Sequence, residues 1–203
     1  MAATAAPYGL RAVNHLGGTP YAGSTRMYPI LTGRAENIYY GDVVNVDGAS
    51  GTIRQNQTTG AAGGTAFLAG TVGVFVGCTF TDPNSGNVTF RQNWPTGTVT
   101  ADAQAYVIDD PAVIFQAQAD GTVAQAGLGA NTFFAAAQGA ATGNTTTGNS
   151  TSAVDATVVA ATANAFRVVG FVDSPTSTVG DAFTDLLIKF NPSSHAYTSD
   201  TGI

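Results

Sequence analysis

A chain of 203 residues fits one domain with appendages, or two small ones, and either is long enough to bury a core. The balance of 7 Lys and Arg against 13 Asp and Glu leaves a net charge of −6, which excludes the basic surface that nucleic acid or an anionic membrane demands. Charged residues make up only 10 %, and a single Glu (Glu36) and a single Lys (Lys189) leave little from which to build an amphipathic helix, so the core is expected from strands.

Residues 1 to about 35 are rich in Ala, Gly and Pro, with Pro7, Pro20 and Pro29 spaced so that no useful helix fits between them. This segment carries Arg11, Arg26 and Arg34 and no acid, whereas from residue 36 the chain is strongly acidic. The pattern predicts an extended basic arm that reaches a neighbouring subunit, joined to an acidic body over 36–203. The start, MAATAAPYGLRAV, has neither a basic nor an apolar leader region, and no run of about eighteen apolar residues occurs, so neither a signal peptide nor a spanning helix is expected.

Within the body, Tyr39 to Val46 alternates as a strand and Asp47-Gly48 supplies a turn. Val72 to Phe80 reads as a fully apolar strand containing Cys78, the one cysteine, expected as a buried thiol. Asp82-Pro83-Asn84-Ser85-Gly86-Asn87 is a hairpin turn leading into Val88 to Trp94. Further strands are expected at Ala105 to Ile108, Val113 to Ala117, Thr122 to Gln125, Phe166 to Val172 and Phe183 to Phe190. Between the last pairs, residues 135–165 are rich in Thr, Ala and Gly without lasting periodicity, which predicts a mobile loop or an excursion ordered by a partner. YVIDDP at Tyr106 to Pro111 echoes GFVDSP at Gly170 to Pro175, a common way to end a strand or the trace of a duplicated half. The fold class is all-β, a small barrel or sandwich.

No constellation for chemistry emerges. Asp109 and Asp110 are neighbours followed at once by Pro111, the pattern of a turn and not of an acid–base pair. The 82–87 turn has alternate oxygen ligands but no bidentate acid to close a calcium cage. His15 lies in the arm and His195 in the terminal tail, where no rigid scaffold is expected to hold them. G-x-S-x-G, H-E-x-x-H, paired C-x-x-C and P-loop patterns are missing, so no catalytic residue, metal or cofactor is expected.

PYGLRAVNHLGGTPYAGSTRMYPI at 7–30, GDVVNV at 41–46, GVFVGCTFTDP at 73–83 and GDAFTDLLIKFNPSSHAYT at 180–198 resemble head-associated structural proteins of tailed bacteriophages. The spacing from GDVV to GVF is also similar to the decoration, or cement, proteins of their capsids. That resemblance implies a β-tulip-like body and a non-enzymatic virion protein. Such a protein assembles in the host cytoplasm, binds the outside of the icosahedral head, clamps the major capsid protein and itself forms a homo-oligomer, a trimer in preference to a dimer. In that setting Tyr8, Arg11, Tyr21, Arg26 and Arg34 are the expected arm contacts, with no nucleic acid or membrane partner. The alternative is a tail or host-attachment protein that binds cell-surface glycan on the same scaffold.

Overall fold

The computed structural model describes residues 4–61, 66–160, 164–200 and 202. Strands of β-branched and aromatic residues separated by Gly, Asn and Asp turns form two antiparallel sheets. The first contains β1 (Arg11–His15), β8 (Val113–Gln118), β11 (Asp185–Phe190), β10 (Phe166–Phe171) and β9 (Asn131–Thr132), in that spatial order. The second runs β2 (Arg26–Pro29), β7 (Gln104–Ile108), β5 (Thr71–Thr81), β3 (Val43–Asp47) and β4 (Thr52–Gln55), with β6 (Val88–Arg91) added to β5. A bridge between Ile30 and Ile53 draws the two edges of the second sheet together without closing it, so the body is a sandwich and not a barrel.

The inter-sheet core takes Val43, Val74 and Ile108 from one side and Phe115, Phe166, Leu186, Ile188 and Phe190 from the other. Its aromatic rings meet edge to face, Phe134 on Phe166 at 5.1 Å and Phe115 on Phe190 at 5.8 Å. On the opposite face of the second sheet lies another core, where Val44, Ile53, Phe75, Cys78 and Val107 are covered by Ile38 and Trp94. β5 is thus buried on both faces, which explains why its sequence is apolar throughout and not alternating. The close approach of β7 requires Gly73: a Cβ there would lie 1.9 Å from the carbonyl oxygen of Ile108, at φ +150°.

The expectation of an extended arm separate from the body is corrected. β1 pairs with β8 and β2 with β7, and Leu10, 1 % exposed, lies in the inter-sheet core. The prolines that forbid a helix do not forbid edge strands, because an edge strand leaves half its amides without a ladder partner. Residues 135–165 are likewise ordered by this chain itself: Val154 bridges Ala119 and Phe134, Asn149 bridges Tyr40, and Ser150 and Ser152 are buried. Residues 161–163 of that segment lie outside the described residues. Thr122 to Gln125 is not a strand but leads into a 3-10 turn at Gln125–Gly127. The two Asp-x-Pro endings share no repeated topology, since β7 crosses to β8 of the other sheet while β10 turns back onto β11.

Candidate functional site

The five residues expected as arm contacts separate into three environments. Arg34 is buried, its guanidinium 3.2 Å from Glu36 and 3.4 Å from Asp47 and donating to Thr52 at 2.9 Å, so it ties the loop before β3 to the β3–β4 hairpin. That removes it from the surface, and Arg54 at 3.7 Å from the same Glu36 extends the network. Arg26 is exposed but engaged: its Nε is 3.0 Å from Asp109, and its guanidinium lies 5.3 Å from the Tyr197 ring centroid. Tyr28 donates to Asp109 at 2.8 Å and meets the Tyr197 hydroxyl, so the carboxyl-terminal segment is latched onto the edge of β2.

The third environment holds Tyr8, Arg11 and Tyr21. Arg11 projects from β1 with its guanidinium 5.3 Å from the Tyr8 ring centroid and 5.6 Å from that of Tyr40. Tyr8 donates to Asp185 at 3.1 Å, and burial, helped by that carboxylate, pushes its phenol well above the ordinary range. Tyr21 donates to the Ser24 carbonyl and stacks obliquely on His15 at 5.9 Å. Tyr21 and Tyr40 line a cleft of about 300 Å³ with Ala12, Val76 and Ile108. Sequence reasoning named Tyr8, Arg11 and Tyr21 but had no means of finding the cleft, which β1, the 21–25 loop, Tyr40, β5 and β7 assemble.

The acids and histidines are held by the framework. Asp110 accepts the Ala112 amide at 2.7 Å, closing the turn before β8, and its other oxygen lies 3.4 Å from His15 Nδ1. His195, expected in a loose tail, is instead fully buried with its ring 5.5 Å from Phe190, and it accepts the Tyr197 amide at 3.2 Å. Burial lowers its pKa from the ordinary imidazole value. The tail could not be read as buried because its apolar anchors, Phe190 and Ala196, are too few to show a period. Cys78 is buried and its thiol is pushed up to about 12 by desolvation. Among the described residues no three His, Cys, Asp or Glu side chains gather as metal ligands, and no helix is long and apolar enough to cross a membrane.

The most prominent surface feature is the β5–β6 hairpin. β6 continues the side of β5 that β3 leaves at Val74, and among the described residues it pairs only with β5. On this open edge Val88 is 76 % and Phe90 58 % exposed, Phe90 lying over Gly77 where a Cβ would come within 2.6 Å of its ring. The chain matches no known protein family, no curated protein and no solved structure.

Proposed function

We propose that this chain is a virion structural protein that decorates the outer surface of an icosahedral phage head and stabilises its major capsid protein lattice. The observation that carries the reading is the open β6 edge with exposed Val88 and Phe90. An unpaired strand edge bearing apolar side chains is an aggregation hazard unless a protein surface covers it. The rest of the surface, poor in charge and rich in Thr, Asn, Gln and Gly, suits a protein packed among neighbours. The resemblance of the segments at 7–30, 41–46, 73–83 and 180–198 to head-associated proteins supports the same setting. Repetition over a lattice turns individually weak contacts of this kind into firm attachment.

The mode of action follows from mass action: a protein that binds only the assembled lattice stabilises it in proportion to its occupancy. No proton transfer or bond cleavage enters this account. Imaging of intact particles tests it. Density for this sandwich in regular positions on the head is the expected result; density confined to the tail or its fibres replaces decoration with host attachment.

A further inference from the structure

The chain itself covers every sheet edge but one. β1 is flanked by the turn that follows it, where His15 donates to the Thr19 carbonyl at 2.8 Å and Tyr21 to that of Val13 at 3.0 Å. β9 exchanges backbone bonds with Val159 through Asn131, at 2.8 and 2.9 Å. β2 and β4 meet at the Ile30–Ile53 bridge, and Tyr197 and Arg34 add side-chain bonds to Tyr28 and Thr52. Among the described residues only β6 has no neighbour on its outer side. Natural sheets blunt such an edge with charge, Pro or a bulge; in β6, VTFR, the only charge is the final Arg91, and its register with β5 is unbroken.

The direction of its free backbone groups follows from the ladder. Asp82 donates to the Asn87 carbonyl at 2.9 Å, which makes theirs a hydrogen-bonded pair, and in an antiparallel ladder bonded and non-bonded pairs alternate. The register then turns Thr89 and Arg91 toward Phe80 and Cys78, and leaves the N–H and C=O of Val88 and Phe90 pointing out from the sheet edge. Two such donor and acceptor sets, separated by one residue, are matched by another extended backbone and by no single side chain. The side chains agree. Phe90 leans inward over Gly77 and toward Tyr106, at a ring separation of 6.1 Å, so it does not cover the open edge. On its side of the sheet lie Val88, Thr79, Gln104 and, opposite Tyr106, the exposed Met27, none of them charged.

We infer that β6 is a strand-addition site: an extended segment of a partner protein lies antiparallel along it, exchanges backbone hydrogen bonds with Val88 and Phe90, and sets apolar side chains beside theirs. The residue between those two lies on the Thr89 side and is polar. This rests on the reading that the β6 edge meets another protein, and it adds what that protein must supply. The antiparallel sense continues the pairing used in both sheets. A second copy would bring another body of net charge −6 to the contact, which disfavours self-pairing. Backbone bonds supply the affinity of such a site, and the alternate side chains its selectivity.

The test is an amide NMR titration of the full chain with N-acetyl-Thr-Val-Thr-Val-Thr-amide, whose valines stand opposite Phe90 and Val88 in the antiparallel register. In the free chain the Val88 and Phe90 amides should exchange fast and those of Thr89 and Arg91 slowly, and saturating peptide should slow the first pair. N-methylation of both valines removes the donors aimed at β6 and should weaken binding at least about tenfold. N-methylation of the central threonine, whose N–H faces away, should leave affinity within about twofold. Absence of saturable shifts at Val88 and Phe90, equal loss from the two methylated peptides, or their reversed order overturns the assignment. Protection of both amides in the free chain that rises with protein concentration makes a second copy the occupant and overturns it as well. Peptide uptake in the expected pattern by a chain that does not bind heads keeps the site and removes only the capsid, whereas regular binding to heads without peptide uptake keeps the capsid and removes the added strand.

Discussion

Asp42 offers the sharpest test of the fold as described. Its side chain is fully buried where β3 begins, accepting the Tyr39 amide at 2.9 Å and the Gln55 side-chain amide at 2.6 Å, while Ser150 and Gln138 of the long excursion also favour its charge. Burial outweighs these bonds and pushes its pKa up to about 6 from 3.8. Because the folded state holds this proton to higher pH than the unfolded chain, Asp42 contributes most stability below pH 4 and loses it as pH rises to about 6. Two units at about 1.4 kcal/mol each make the loss about 3 kcal/mol. Asp42→Asn keeps an acceptor for Tyr39 and Gln55 and cannot ionise. Urea denaturation of both proteins, compared at each pH, cancels the titration of the other carboxylates. Near pH 4 the variant should match the parent within about 1 kcal/mol, and at pH 8 it should be more stable by up to about 3 kcal/mol. A stability difference that stays constant between pH 4 and pH 8, or moves in favour of the parent as pH rises, refutes the reasoning.

Gly143→Ala should cost about 2–3 kcal/mol in thermal or urea melts, because its Cβ would stand 2.0 Å from the Tyr39 ring, whereas Gly139→Ala in the same excursion meets nothing within 4 Å and should be near neutral. Equal effects would show that the excursion does not pack on the body. Arg34→Ala should destabilise by about 2 kcal/mol, since it removes the buried guanidinium that links Glu36, Asp47 and Thr52 while Glu36 keeps only Arg54 as a cationic partner, an effect that urea midpoints will read. Cys78 should resist a thiol-specific reagent in the native protein and react at once after unfolding, since its thiol is buried and pushed up to about 12.

Much of the sandwich was legible where burial on both faces or strict alternation left a strong pattern. β5, β7, β8, β10 and β11 fall within two residues of the runs that predict them, and the 82–87 turn closes β5 onto β6 as its Asp-Pro and Ser-Gly pairs favour. β1 and β2 were hidden because RAVNH and RMYP are short, half-exposed edge strands whose prolines and arginines resemble a flexible arm. β4, only TIRQ, is too short to carry a period. The excursion was misjudged for a different reason: polar contacts from Gln138, Ser150 and Thr142, together with tight approaches such as Gly143 on Tyr39, hold it, and composition does not show these. The burial of Asp42 leaves no mark in the sequence beyond the Gly41-Asp42 pair that begins a strand. The cleft beside β1 is nonlocal by construction, since Ala12, Tyr40, Val76 and Ile108 come from four separate segments.

The central claim is that this protein reinforces a capsid through the open β6 edge, and adding the purified chain back to heads stripped of it measures that directly. The account predicts regular, saturable binding and a higher temperature of head failure, with Val88→Lys folding normally, since substitution at so exposed a site moves stability by about 0.5 kcal/mol or less. That variant should restore little of the protection, because the charge must be desolvated where an apolar side chain fitted. Stripped and restored heads that fail at the same temperature, or full protection by Val88→Lys, would contradict it.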